Sequence, residues 1–535
     1  MSAAITSILY TAIAAVAGFF LAPRERQFPV INIAAYWVIA AALAFLMLHQ
    51  KLLVFGALGV VLGVIAPFHP VKRVLFYLAV LPALPRDMTV LVPFPGLNYL
   101  TSMDHAKLTA IFVLGPVFIK AISMTPAKPL REIEPILIGY AGLITLMSFR
   151  DLPFTSMIRL GIDMSLLIVV PYVCLSRLIR TSEDVKQAIM ATFVGLIIAA
   201  VIGFIAAAQS WNYYAQVRRG QSFYDYTLYR NGIIRVASTM NTTLLGLMMG
   251  VATVMAIRLH DLKKLNLFFF VGLLGLFLFV CFATGSRGAW LATIAVIGAY
   301  FILPRMPKVG YTIFLVAAPL GVAGAAAYIM GGGEAIQDEH GTFEYRALLL
   351  EVAWEQIKDK PFFGSTTFLE SPRFQVLVQG QGIIDLVNVF LQVVLYYGGV
   401  GLFLYTASHI LPIVAGVRLL GRTAKKKKRL SDEVYAARKT LALVLAAHMG
   451  YIFMIGTTSA MSYIYQYGIV FIVLSVAQIR ALSAQLAEEA AAKGIVAVED
   501  MTDADHYVPR PQRGLQDPTG RAIPKPYGAR FVRRF

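Results

Sequence analysis

Charge is what this sequence has least of: only 14% of its 535 residues are Asp, Glu, Lys or Arg, against the roughly 25% that soluble domains carry. With 58% hydrophobic residues and a mean hydropathy of +0.70, a water-soluble fold is excluded. Cysteine is nearly missing as well. Cys174 and Cys281 both fall inside apolar runs, which excludes a disulfide framework and a thiolate metal site and leaves them as small core hydrophobes. Positive charge is absent ahead of the apolar stretch Met1 to Leu21, and no small-residue cleavage site precedes Arg24. That stretch therefore reads as a retained first span.

What the sequence does have is a succession of apolar runs near the roughly 20 residues needed to cross a bilayer, separated by joints holding Pro, Lys or Arg. Spans are predicted near 4–22, 30–48, 52–66, 71–84, 106–122, 133–149, 157–176, 186–208, 236–257, 265–283, 289–303, 310–329, 387–415, 440–460 and 463–480. The runs 52–66 and 71–84 are short for a full crossing and read as re-entrant segments or one distorted pair, so the expected total is about 13 to 15. The fold class expected is an all-α integral membrane protein, with a membrane domain over 1–480 and a polar, mostly disordered tail over 481–535.

The net charge of +18 does not point to nucleic acid, because the basic residues sit in joints and in the tail rather than on a folded face. With the C-terminus inside, alternation places most of the Lys and Arg in cytoplasmic joints, and the run Lys425 to Arg429 is the strongest single marker. Two segments on the opposite side are too long to be mere connectors: 209–235 and 330–386, the latter followed by the last three spans over 387–480. In the second, Tyr345, Leu348, Leu349, Val352, Trp354 and Ile357 recur at helical spacing until Pro361. This predicts an amphipathic helix over Glu344 to Lys360, lying against the membrane or capping a cavity.

Arginines on the outer side run against the usual bias and need another reason to be there. Arg218, Arg219, Arg230 and Arg235 stand in or at the end of the first long loop, and Arg346 and Arg373 in the second. Arg287 sits in Thr284-Gly285-Ser286-Arg287-Gly288-Ala289-Trp290, between one apolar run and the next, where a charge is costly unless it serves something. A guanidinium grips phosphate oxygens with two parallel bonds. Gly285 and Gly288 allow close backbone approach, and Ser286 adds a hydroxyl at a helix N-terminus, where amide dipoles favour anions. The cluster reads as an anion seat. Outward groups able to accept a proton from a hydroxyl are His340, Glu344 and Asp385. His409 and His448, inside spans, read as packing or lipid-interface residues.

Taken in order, Thr284 to Trp290, Tyr345-Arg346 with Trp354 beyond, Pro361-Phe362-Phe363-Gly364 and Asn388 to Gly401 resemble the O-antigen ligase and Wzy-type polymerase superfamily. Arg235, followed by Ser238, Thr239 and Asn241, stands where that family has another arginine ahead of a span. The resemblance covers roughly Arg235 to Leu404. It implies a glycosyltransferase of the C-type membrane class that uses no metal or cofactor and acts at the periplasmic face of a bacterial inner membrane on undecaprenyl-pyrophosphate-linked oligosaccharide. Partners implied are the lipid bilayer and other polysaccharide-assembly proteins, such as a chain-length regulator or flippase. By the same resemblance Arg235, Arg287, Arg346 and Ser286 hold the pyrophosphate, and a base in or after the large loop activates the acceptor.

One departure separates the family's two activities. Ligases carry a histidine directly before the asparagine of an Asn, Gly, Gly pattern; here Asn388, Gly398 and Gly401 fit, but Val387 takes the histidine's place. This favours a polymerase of exopolysaccharide or O-antigen type. A ligase passing glycan to lipid A-core stays open as the alternative, as does a lipid-linked sugar transporter, which would show repeated halves and midplane charges. Arg235 and Arg287 are each followed three turns later by a glycine, Gly246 and Gly298, as in an arginine-glycine pattern of polymerases.

Overall fold

The computed structural model describes residues 9–17, 52–85, 89–125, 131–151, 153–212, 229–230, 233–312, 342–378, 382, 384–424, 430–458 and 462–492. Among them are eight helices long and apolar enough to cross a membrane and three shorter apolar ones. In chain order the elements are α1 (Leu52–Ile65), α2 (Pro70–Val80), a hairpin of β1 (Val90–Phe94) and β2 (Leu97–Met103), α3 (His105–Ile122), α4 (Ile133–Asp151), α5 (Phe154–Leu178) and α6 (Ser182–Ala208). After a short pair, β3 (Tyr229–Arg230) and β4 (Ile233–Ile234), come α7 (Thr242–Asp261), α8 (Leu267–Ala283) and α9 (Arg287–Ile302). The chain then gives α10 (Thr342–Asp359), a short α11 (Pro372–Gln375), α12 (Val389–Ala424), α13 (Asp432–Ile455) and α14 (Ser462–Ala492). The span expected near 30–48, most of 4–22 and of 310–329, and the tail beyond 492 lie outside the described residues.

Helix starts follow their caps. The Thr181 hydroxyl and the Asp184 carboxylate form a reciprocal capping box on α6, and Asn241, Asn266 and Ser431 accept amides at the starts of α7, α8 and α13. Proline shapes α3. Because Pro116 has no N–H, the Phe112 carbonyl loses its helical donor; the chain widens into a π-turn over Ala110–Leu114, and Arg73 donates instead, to Phe112 at 3.1 Å and Val113 at 2.7 Å. The same guanidinium reaches the Gly63 carbonyl at 2.8 Å, at the end of α1.

Arg73 shows what holds an arginine in a joint between helices. Several of the arginines at helix ends are likewise buried and bonded to backbone carbonyls. Arg177 donates to Ala121 and Ile122 at the end of α3, Arg480 to Ser176 and Ile179 at the end of α5, Arg258 to Ala436, and Arg438 to Pro304 and Leu420. Helix C-termini leave carbonyls without donors, and a guanidinium supplies several donors in a rigid fork. These contacts gather the ends of α3, α5, α7, α9 and α12 and the start of α13 at one end of the bundle.

Several helix bounds differ from expectation. α7 begins at Thr242 rather than 236, because Val236 is drawn into a backbone bond with the Ala283 carbonyl. α14 continues past 480 to Ala492. The expected span 387–415 is two helical pieces that meet at Gly398, whose backbone is non-helical (φ 65°, ψ −166°). The core of the last three helices is polar in one place. His409 Nδ1 and His448 Nε2 lie 3.0 Å apart, and His448 Nδ1 is 3.1 Å from Ser475 Oγ. All three residues are buried, so the two histidines are core residues, not lipid-interface ones.

Candidate active site

α7 and α9 run side by side in the same direction, and glycine sets their spacing. A Cβ on Gly246 would stand 2.5 Å from Ala289 Cβ, and one on Gly250 would stand 2.6 Å from Thr293 Oγ1. The Thr293 hydroxyl also donates to the Gly246 carbonyl at 3.0 Å. Small residues at such a seam let helix backbones approach closely in lipid, and the consequence is that the two N-termini arrive together. There Thr243 Oγ1 and Ser286 Oγ are 3.3 Å apart. Ser286 is the N-cap of α9, but its hydroxyl makes no cap bond to its own helix; it bridges to α7 instead.

Arg235 completes this junction. Its backbone is pinned by Asn212, whose amide donates to the Arg235 carbonyl at 2.9 Å and whose carbonyl oxygen accepts from Ala237 N at 2.8 Å. Its side chain lies over Gly285, where an added Cβ would come within 3.1 Å of Arg235 Cγ, and Nη2 donates to Thr242 Oγ1 at 3.2 Å. Gly285 has φ of +60°, a left-handed conformation that glycine adopts without steric cost. Arg287 stands two residues further, exposed on the first turn of α9, and its guanidinium has no protein partner among the described residues. A third element closes on the turn: a Cβ on Gly288 would stand 2.7 Å from Thr457 Oγ1, just beyond α13. Two helix N-termini, the Arg235 side chain and several hydroxyls thus meet at one junction, with Arg287 exposed on the adjoining turn, an arrangement suited to a multiply charged anion.

The expected loop helix is present as α10. Its inner face, with Leu349 and Ala353, forms a small core of its own with Phe368, Phe374, Leu377, Leu386 and Leu395. Backbone contacts seat this unit on the break in α12. Gly399 N donates to the Pro361 carbonyl at 2.7 Å and Ser365 N to the Leu395 carbonyl at 2.8 Å, while Gly364 (φ +59°) and Gly398 leave no room for a Cβ against the facing backbone. Arg346 is half-buried on α10. Asp385 is held by Tyr345, whose hydroxyl donates to the Asp385 carbonyl and accepts from its amide, both at 2.9 Å. Its Oδ1 accepts from Val387 N at 3.2 Å, so one carboxylate oxygen serves its own turn. His340 and the Glu344 side chain lie outside the described residues, as do Arg218, Arg219 and the Arg230 side chain.

Thr242, Thr243 and Thr457 were not singled out from sequence. A signal existed for the first two, which directly follow the helix cap Asn241; Thr457 arrives only through tertiary packing. The arginine-glycine pattern is half explained. Gly246 is required by the α7–α9 seam, whereas a Cβ on Gly298 meets nothing within 4 Å. Gly246→Val is expected to lower the thermal unfolding midpoint of the detergent-solubilised protein, at a cost of about 1–3 kcal/mol for overpacking. Gly298→Ala is expected to leave that midpoint unchanged or higher, and a comparable loss in both variants would contradict the seam.

No curated protein matches the chain. A family model described as Wzy_C, O-antigen ligase, matches residues 272–406. The match begins after Arg235 and takes in Ser286, Arg287, Arg346, Asp385 and the α12 break. From the middle of α8 into α12, this membrane protein is therefore similar to the Wzy_C domain of the O-antigen ligase and Wzy-type superfamily, which indicates ligase- or polymerase-type glycan transfer.

Proposed function

We propose that the chain is an inner-membrane polymerase that transfers growing glycan from one polyprenyl-pyrophosphate-linked oligosaccharide to another at the periplasmic face. The observation that carries this reading is the junction of α7 and α9, where Arg235 lies over Gly285 and Arg287 stands open on the adjoining turn. Cleavage of a sugar–pyrophosphate bond puts negative charge on the leaving group. Donors already fixed where that charge develops lower the barrier without reorganising. Arg287 contributes a bidentate donor, Arg235 a second held in place by Thr242 and Gly285, and the two N-termini add their amide dipoles. The acceptor hydroxyl loses its proton as it attacks the anomeric carbon, and Glu344, Asp385 and His340 are the candidate acceptors of that proton.

Val387 in the place of the ligase histidine favours polymerase over ligase. The product decides between them: purified protein incubated with lipid-linked oligosaccharide is expected to yield lipid-linked polymer in the absence of lipid A-core. Product formed only when lipid A-core is added would make it a ligase, and intact substrate delivered across the membrane would make it a transporter.

A further inference from the structure

The turn Pro361–Gly364 presents two aromatic rings outward from the loop unit. Phe362 is 69% and Phe363 45% exposed. Its polar backbone is closed off. The Lys360 carbonyl accepts from Gly364 N at 3.2 Å, Pro361 from Gly399 N at 2.7 Å, Phe362 from Val400 N at 3.2 Å, and Phe363 from Arg150 Nη1 at 3.4 Å. Four consecutive carbonyls therefore have donors. Water needs no such arrangement, since it would serve each carbonyl itself, but lipid does, because a carbonyl without a donor in hydrocarbon is costly.

The surroundings are lipid-facing too. The bond from Arg150 puts the end of α4 beside Phe363, and there exposed Phe149 packs edge-on against exposed Phe154 at 6.3 Å. On α12, just past the Gly398 break, Phe403 is exposed on a helix long and apolar enough to cross the membrane. Exposed aromatic rings of α4, α5 and α12 thus lie beside the turn. Exposed Arg150 and Lys360 border the rings, matching the charge of phosphate groups at that level.

We propose that this turn is an interfacial anchor: Phe362 and Phe363 dip into the boundary between headgroups and acyl chains beside α4 and α12, holding the loop unit against the bilayer. The occupant of the aromatic patch is the phospholipid itself, not a second protein. The anchor stands on the packing of the turn and does not depend on the transfer reading.

The test is depth measurement on the full chain in phospholipid nanodiscs. Phe362→Cys and, separately, Phe363→Cys are labelled with a nitroxide; the native Cys174 and Cys281 are buried, and unmutated protein taken through the same labelling gives the blank. Glu370→Cys, at an exposed charged position of the same unit, is the water-facing control. Collision with dissolved oxygen is expected to dominate at 362 and 363, and collision with a water-soluble nickel chelate at 370, so that the ratio of the two inverts between the turn and the control. Chelate access at 362 and 363 equal to that at 370 would overturn the anchor, as would shielding of both positions from oxygen and chelate alike, the sign of a protein partner seated on the patch.

Discussion

Arg287→Ala is expected to reduce glycan transfer by roughly 10²–10³-fold, about 2.7–4 kcal/mol, the usual loss when one preorganised donor to a developing anion is removed. The size of the effect follows from position. Arg287 is exposed on the first turn of α9 and has no protein partner among the described residues, so its removal leaves no buried group unsatisfied and the fold should persist. Arg287→Lys keeps the charge but loses the two parallel donors, and is expected to recover only part of the activity. The measurement is the rate of polymer formation by purified protein at saturating donor, alongside its thermal midpoint. Wild-type rates in the Ala variant would remove the basis of the transfer mechanism, whereas a collapse of the midpoint would mean that Arg287 is structural.

The second large effect is expected at Gly398. Its φ of 65° and ψ of −166° lie in a region essentially confined to glycine, where another residue costs of order 1–3 kcal/mol. An added Cβ would also overlap the backbone carbon and oxygen of Phe362 and the amide nitrogen of Phe363. Gly398→Ala should therefore unseat the loop unit from α12 while the spanning helices, with their own core, remain folded. Limited proteolysis reads this directly: new cleavage within 342–378 is expected in the variant and not in the parent. Unchanged protection would show that the Pro361–Gly364 contact does not hold the unit.

Much of the fold was legible because hydrocarbon is an undemanding reader. An apolar run of sufficient length has few alternatives to a helix, and the helices from α3 to α9 lie close to their predicted places. What escaped were departures inside apolar sequence. Gly398 sits in an uninterrupted hydrophobic stretch, so a break and a continuous helix look alike until Phe362 and Phe363 are seen against it. Val236 and Ala237 look like the start of a span, yet the Val236 amide bonds to the Ala283 carbonyl and the helix begins only at Thr242. The hairpin of β1 and β2, in a stretch that carries Pro93 and Pro95, was not expected either. At the candidate site, Ser286 and Arg287 were singled out by their local motif and Arg235 by its place ahead of a span, and the structure sets Arg235 and Ser286 at one helix junction. The hydroxyls that organise them were not, since Thr243 and Ser286 are 43 residues apart, and no local spacing reports which helices are neighbours.

The paired imidazoles of α12 and α13 bear on how the protein is made. Between His409 Nδ1 and His448 Nε2 there is room for one proton, so the tautomer adopted by either ring dictates that of the other. Neither helix can satisfy its histidine in hydrocarbon by itself, and Ser475 on α14 supplies the remaining contact. During biogenesis the three C-terminal segments accordingly reach their lowest energy as a group, and a chain truncated before Ser475 would hold a buried ring nitrogen lacking its hydroxyl partner.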